Sequence, residues 1–454
     1  MTRPDTDNSK LETLTEQLLA AARRAGADQA DALAVDGTSV SIDVLGGKLE
    51  HAERSEGVDI GLRVLIGQRQ AIVSASDTSA ETIAAMAERA VAMAKEAPED
   101  PHIRLARADE LAKEWDLAAL ELADPSDEPD PAALERDAAE AEAAALAVKG
   151  VTQVSSASGG YGRHQFHLMT SNGFSGGYGR TNRGTSVVAI TGEGANMERD
   201  YAGEMRVFQA DLPSPEDIGT KAGERTVAMA GAKKPPTGAF PVLYDERVSA
   251  SLIGHLLAAT NGAMIARGSS WARDLLGKEV LPAGLDLIED PLRPRITGSR
   301  PFDGEGLATR RRKIIDAGVL TGWTLDLATA DKLGMESTAS ASRGTSSPPG
   351  PSISNVALTQ GPQSREDLIR EMGTGLIVTS MIGSTINPTT GDYSRGASGF
   401  WVENGEIAYP VNECTIAGNL IEMLRTLVPA NDAEPHLSRL VPSLLVDGMT
   451  LAGA

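Results

Sequence analysis

Leu11, Leu14, Leu18 and Ala22 recur at steps of three and four, and this period predicts a first helix from about Lys10 to Ala25. The period then changes. ALAVDGTSVSIDVLGG, KLEHAERSEGVDIGLRVLIG and QRQAIVSAS are strand-like runs broken by Gly and Asp-Gly, as in an antiparallel meander. A capping box at Thr78-Ser79-Ala80-Glu81 predicts a second helix with Ile83, Met86, Ala87, Ala90 and Val91 turned inward. Helix, meander and helix make a small α+β domain, assigned to residues 1–108.

Residues 109–142 hold thirteen acidic and two basic residues around a Pro-rich break, ADPSDEPDP. We expect a solvated helix, a linker and a second solvated helix there, rather than an acidic docking segment. The Ala-rich run PAALERDAAEAEAAALAVKG is strongly helical, and glycine-punctuated β structure follows from VTQVSSASGG to DYAGEM. This acidic connector and β-rich middle domain is assigned to residues 109–235, ending in the linker GAKKPPTG.

In the C-terminal domain, residues 236–454, FPVLYDERV reads as a strand and 246–266 as one long helix. RRKIIDAGVLTGWTLD predicts a hairpin turning at Asp316-Ala317-Gly318, and the Ser-, Gly- and Pro-rich 336–352 predicts a loop outside the core. LIVTSMIG and GFWVENGEIAYPV are strands, and CTIAGNLIEMLRTL a final helix. The predicted fold is α+β. Its last domain is a mainly antiparallel sheet or barrel with the long helix packed on it.

With 454 residues and a net charge of −21, the chain lacks the basic face of a nucleic-acid binder. The N-terminus MTRPDTDNSK has no apolar signal-peptide run, and no stretch reaches the roughly 18 apolar residues of a membrane span. A cytoplasmic location is expected. Cys414 is the only cysteine, which excludes an internal disulfide and a multi-cysteine zinc site. Walker A, GxSxG and CxxC motifs are absent. His164 and His167 have an HxxH spacing that, in a strand, places their rings on opposite faces. His255 lies inside the long helix with Ala258 and Ala259 at the next-turn positions, so it has no second ligand there.

SNGFSGGYGRTNRG, GEGANMERDY and INPTTGDYSRGASGFWVENGEIAYPVNECTIAGNL resemble the PmbA/TldE proteins of the TldD/PmbA family, historically named modulators of DNA gyrase. The resemblance runs from about residue 10 to residue 428. It implies a protease of two paralogous subunits, in which the TldD-type subunit carries a helical HExxxH zinc motif and a later cysteine ligand. Anchored on Arg267-Gly268-Ser269, the motif places Ile253 and Ala258 at the two histidine positions and Gly254 at the glutamate. Cys414 falls at the family's cysteine-ligand position, counted back from Gly418-Asn419.

The resemblance therefore implies a non-catalytic PmbA/TldE-type subunit. It would bind no metal or cofactor itself, with zinc in a TldD-like partner and extended peptides as substrates. Leader processing of peptide antibiotics and antitoxin degradation are the implied tasks, and proteolysis is expected only with the partner. Arg267, in the Arg267-Gly268-Ser269 element, and Asp392, Tyr393, Ser394 and Arg395, on a Gly-rich segment read as a loop, are the candidates for contact with substrate or partner. An alternative is a stand-alone homodimeric regulator acting on gyrase or toxin–antitoxin components. A third is an autonomous peptidase with Cys414 as nucleophile.

Overall fold

The computed structural model describes residues 8–453. α1 (Ser9–Ala25) buries Leu11, Leu14, Leu18 and Ala22, as the period requires, and stops at Gly26, whose φ of 98° suits a glycine cap. β1 (Gln29–Leu45), β2 (Lys48–Ile66) and β3 (Arg69–Ala75) form the expected meander. α2 (Ala80–Glu96) returns across it. The cap is Ser79, one residue later than the predicted box, and its hydroxyl accepts the Thr82 N–H at 3.2 Å.

The acidic connector contains less helix, and more burial, than its composition suggests. Its first half supplies one turn, α3 (Leu117–Leu120), and an extended strap whose Ala112 N–H donates to the Gly306 carbonyl at 2.9 Å. Its second half is α4 (Pro131–Ala147), where Leu134, Ala138, Ala141, Glu142 and Ala145 are buried rather than solvated. β4 (Val151–Thr170), β5 (Ser175–Thr191), β6 (Glu198–Arg206) and α5 (Pro215–Ala228) complete this half. Small residues allow the close approach of α4: a Cβ on Gly159 of β4 would lie 2.4 Å from the Leu134 carbonyl oxygen. Glu142 tolerates burial because its two carboxylate oxygens accept the Gly46 and Gly47 N–H groups, each at 2.7 Å. The six strands make one antiparallel sheet in the order β3-β2-β1-β4-β5-β6, continuous from residue 29 to residue 206. His167 of β4 packs under α1, 2.8 Å from Thr15 Oγ1, while His164 lines a groove on the other face.

The C-terminal half begins with β7 (Gly238–Tyr244), α6 (Glu246–Ala259) and α7 (Gly262–Ala266). Then come β8 (Leu287–Glu289), β9 (Arg312–Asp316), β10 (Val319–Leu320), α8 (Leu327–Leu333), β11 (Ala341–Ser342), β12 (Gly350–Pro351), β13 (Val356–Leu358) and α9 (Arg365–Met372). The chain ends with β14 (Gly375–Ile386), β15 (Asp392–Glu403), β16 (Glu406–Asn419), α10 (Leu420–Thr426), β17 (Val428–Pro429), β18 (Arg439–Leu440) and β19 (Leu444–Ala452). β7, β14, β15, β16 and β19 close into a five-stranded barrel, since β16 pairs with both β15 and β19. Only β7 and β14 run parallel in it. β10-β9-β8-β13-β18 form a second sheet. Among the described residues no helix is long and apolar enough to cross a membrane.

Four expectations for this half are corrected. The single helix 246–266 breaks after Ala259, because Thr324 donates to the Thr260 carbonyl and accepts the Gly262 N–H, at 3.0 and 2.8 Å. Asn261 then caps α7 through the Ala263 N–H. The final helix starts at Leu420, not Cys414; residues 415–417 pair with Ala452, Leu451 and Thr450, so barrel closure overrides their helical period. GDYSRGASGF is mostly β15, with Gly391 (φ 82°) alone forming its turn. Residues 336–352 are not merely a surface loop, for Ser340 and Ala341 are fully buried. The hairpin at Asp316-Ala317-Gly318 forms as predicted, with φ of 49° and 92° at Ala317 and Gly318.

The two halves meet on the sheet face opposite α1 and α2. Asp31 and Arg63 are direct cross-strand partners of β1 and β2, and Arg343 of the C-terminal half pairs with the other oxygen of Asp31. All three side chains are 5% exposed or less. Beside them a Cβ on Gly61 would lie 2.1 Å from the Thr345 carbonyl oxygen, so only glycine fits. Asp31→Asn leaves two buried guanidiniums facing each other, and we expect a loss of about 3 to 5 kcal/mol in denaturant unfolding.

Candidate functional site

α6 carries the positions where the resemblance places a metal motif. Asp245 caps its N-terminus, and Leu252, Ile253, Leu256 and Leu257 bury one side against the barrel. Ile253 is fully buried, whereas Gly254 and His255 are half-buried and Ala258 is exposed. The two histidine-equivalent positions thus do not share an accessible face. None of Ile253, Gly254 and Ala258 has a side-chain atom that can ligate a metal.

β15 runs beside this helix. Its period of two puts Tyr393, Arg395 and Ala397 on one face and Ser394 on the other. The Tyr393 and His255 rings meet edge to face, with centroids 5.8 Å apart. Tyr393 is buried with Tyr244 of β7, and burial pushes both phenols up, so they stay protonated. Asp392 is exposed and accepts hydrogen bonds from Thr390 and Asn419, which hold its carboxyl below the usual range. Arg267 is exposed, and its Nε donates to the Ala263 carbonyl at 3.1 Å. The structure therefore brings Tyr393 and Arg395 to α6, but not Asp392, Ser394 or Arg267.

Arg439 of β18 completes the cluster, and sequence reasoning missed it. A Cβ on Gly254 would lie 2.8 Å from Arg439 Nη1, so the guanidinium sits in the space a side chain at 254 would take. No sequence signal links residues 185 positions apart. Burial and the charges of Arg395 and Arg439 together push the His255 imidazole below its usual range. Among the described residues, its Nε2 and the Arg395 Nε have no hydrogen-bond partner although both are buried.

Cys414 pairs with Ala397 across β15 and β16 and lies in the same apolar core as Ile253. Its thiol donates to the Ala397 carbonyl at 3.1 Å, and burial pushes it up to about 11. This is the setting of a packed, protonated thiol, neither a poised nucleophile nor a ready metal ligand. Among the described residues no three His, Cys, Asp or Glu side chains gather closely enough to hold a metal ion. The zinc-equivalent positions offer one buried thiol bonded to a backbone carbonyl and no second ligating side chain, which does not fit a zinc site.

Comparison with known proteins follows this geometry closely. The sequence matches the PmbA/TldA metallopeptidase C-terminal domain over residues 237–453, domain 1 over 30–94 and the central domain over 124–230. It is 36% identical to the metalloprotease PmbA of Escherichia coli O157:H7 over 92% of this chain and 90% of that one. The chain belongs to the PmbA/TldD family. A PmbA homologue of Haemophilus influenzae is 35% identical over 95% of this chain and 94% of its own. A candidate modulator of DNA gyrase from Bacteroides thetaiotaomicron superposes with a TM-score of 0.90 at 26% identity, covering 99% of this chain and all (100%) of that one. TldE from Thermococcus kodakarensis shares the fold, with a TM-score of 0.83 at 19% identity over 97% of this chain and 100% of its own.

Two measurements check this PmbA/TldD-family site. The His255 imidazole should titrate below about 6.5 by NMR. Arg395→Gln or Arg439→Gln should raise it, since each removes a like charge. Because the folded state disfavours the protonated ring, His255 should cost stability as pH falls through the unfolded histidine value. Cys414 should react with a disulfide reagent at pH 8 about 100-fold more slowly in the folded chain than after denaturation.

Proposed function

We propose that the chain is the non-catalytic, PmbA/TldE-type subunit of a heteromeric zinc metalloprotease. The zinc belongs to a TldD-like partner, and the substrates are extended or unfolded peptides, such as peptide-antibiotic leaders and antitoxins. The observation that carries this reading is the guanidinium of Arg439 against Gly254, next to the buried Ile253, with Cys414 a packed thiol that burial pushes up to about 11. A zinc site needs neutral or anionic donors on an open face, and a fixed positive charge there opposes the metal. What this chain supplies is a scaffold of metallopeptidase shape with a cationic face on α6. Arg395 and His255 beside α6, and Asp392, Ser394 and Arg267 away from it, are its candidates for contact with the partner or the peptide. Extended peptides are best held by backbone hydrogen bonds along a free sheet edge, which makes recognition tolerant of sequence.

The purified chain should hold no stoichiometric zinc by elemental analysis and should cleave no unfolded polypeptide. Adding a TldD-like subunit with HExxxH should produce both a complex and cleavage. Stoichiometric zinc, or cleavage by the chain alone, would overturn the reading. A homodimer that binds gyrase or an antitoxin without cleaving it would favour the regulatory alternative. Arg395→Ala should lower cleavage by the assembled pair about tenfold, a change of about 1.4 kcal/mol.

A further inference from the structure

Between the two halves, away from α6, lies a cavity of about 410 Å3. One wall is the sheet, where strand pairing sets Leu33 beside Leu168 and Val35 beside Phe166 and Tyr178. That wall is apolar and aromatic. The other wall comes from residues 298–304, 341–344 and 352–354 of the C-terminal half and carries Arg300 and Arg343, with Arg180 reaching in from β5.

Among the described residues, two guanidiniums on this cavity have no carboxylate as a hydrogen-bond partner. Asp31 serves two guanidiniums at once, Arg63 and Arg343. Arg300 donates only to carbonyls, those of Ala341 at 2.9 Å and Ser352 at 2.7 Å. Arg180 likewise donates to the Thr297 and Ser299 carbonyls and to the Tyr178 hydroxyl. Asp303 is the other carboxylate on the wall; it accepts the N–H groups of Glu305, Leu307 and Ala341, and burial pushes its carboxyl up. Arg63 also faces the buried carboxyls of Glu305 and Asp326, so the guanidiniums that donate to no carboxylate are those of Arg300 and Arg180. Two guanidinium nitrogens, Arg300 Nε and Arg343 Nη2, are buried with no acceptor among the described residues, and the Arg343 side chain is only 2% exposed. Buried guanidinium donors without acceptors are costly, and a carboxylate is the group that satisfies such forks.

We propose that this cavity binds the C-terminal residue of a peptide. The terminal carboxylate sits on Arg300 and Arg343, and the apolar side chain packs against Leu33, Val35, Phe166 and Tyr178. One negative charge on an apolar body matches both walls, whereas a phosphate dianion would leave the apolar wall unused. The volume lies within the roughly 300–1,000 Å3 usual for ligand sites and suits one or two residues. Ser342, Ser352 and Ser354 offer polar groups beside the carboxylate end for the preceding amide. The site lies wholly within this chain and does not depend on the subunit assignment, so the two readings fail separately.

Calorimetric titration of the full chain with N-acetylglycylphenylalanine and with its C-terminal amide tests the proposal. The acid should bind saturably and the amide at least tenfold more weakly. Val35→Trp, which fills the apolar wall and leaves every arginine in place, should weaken the acid at least tenfold while the thermal midpoint stays within a few degrees. Arg300→Met should erase the preference for acid over amide. If that variant fails to fold, the wild-type comparison and Val35→Trp still decide. No saturable binding of the acid, equal binding of acid and amide, or unchanged binding in a folded Val35→Trp variant would overturn the proposal. Octanoate binding more tightly than the dipeptide would overturn the peptide assignment in favour of a free carboxylic acid.

Discussion

One carboxylate, Asp31, holds two guanidiniums out of water where the halves meet. Its cross-strand partner Arg63 belongs to the N-terminal sheet, and Arg343 belongs to a segment some 300 residues further on. Removing charge from water is tolerable only if the pairing geometry is maintained, so the three side chains constrain how the C-terminal half lies on the sheet. Gly61 against Thr345 fixes the same contact sterically, since any side chain at 61 would push the halves apart. The connector joins at the neighbouring edge, where Trp115, Phe174 and Phe302 form an aromatic cluster with centroids 4.9 to 5.9 Å apart. The cavity beside Asp31 exists because these contacts set the spacing of the two walls.

The C-terminal half shows how a metallopeptidase framework can persist with different chemistry at its centre. The barrel fixes α6, and α6 presents a glycine where a guanidinium can enter. Burial and the charges of Arg395 and Arg439 push the His255 imidazole below its usual range, and burial pushes the Cys414 thiol up. Around His255 the fold gathers cations, Arg395 and Arg439. Membership of the PmbA/TldD family therefore says more about the shape of this chain than about what its α6 face can bind.

Much of the architecture was legible in local patterns. α1, the meander and α2 follow from the spacing of Leu11 to Ala22, the Gly breaks and Ile83 to Val91, because each pattern buries one face against its neighbour. The Asp316-Ala317-Gly318 turn follows from its residues alone. The errors cluster where distant strands compete with local preference. Residues 415–417 look helical but pair with β19, and residues 336–352 look solvated but contain Arg343, buried by a strand more than 300 positions away. The Ala-rich α4 looks solvated because alanine carries little hydrophobic signal, yet small side chains are what allow it to lie close to Gly159.

By itself, the sequence determined the α+β class, the family and the loss of ligating side chains at Ile253, Gly254 and Ala258, since a ligand atom is either encoded or absent. It also determined that Cys414 stands alone. Only the tertiary structure decided what surrounds those positions: Arg439 beside Gly254, and Tyr393 and Arg395 around His255. It alone also decided that Asp31, Arg63 and Arg343 share one charge balance. Such contacts depend on distances between residues far apart in the chain, and local periodicity carries no information about those distances.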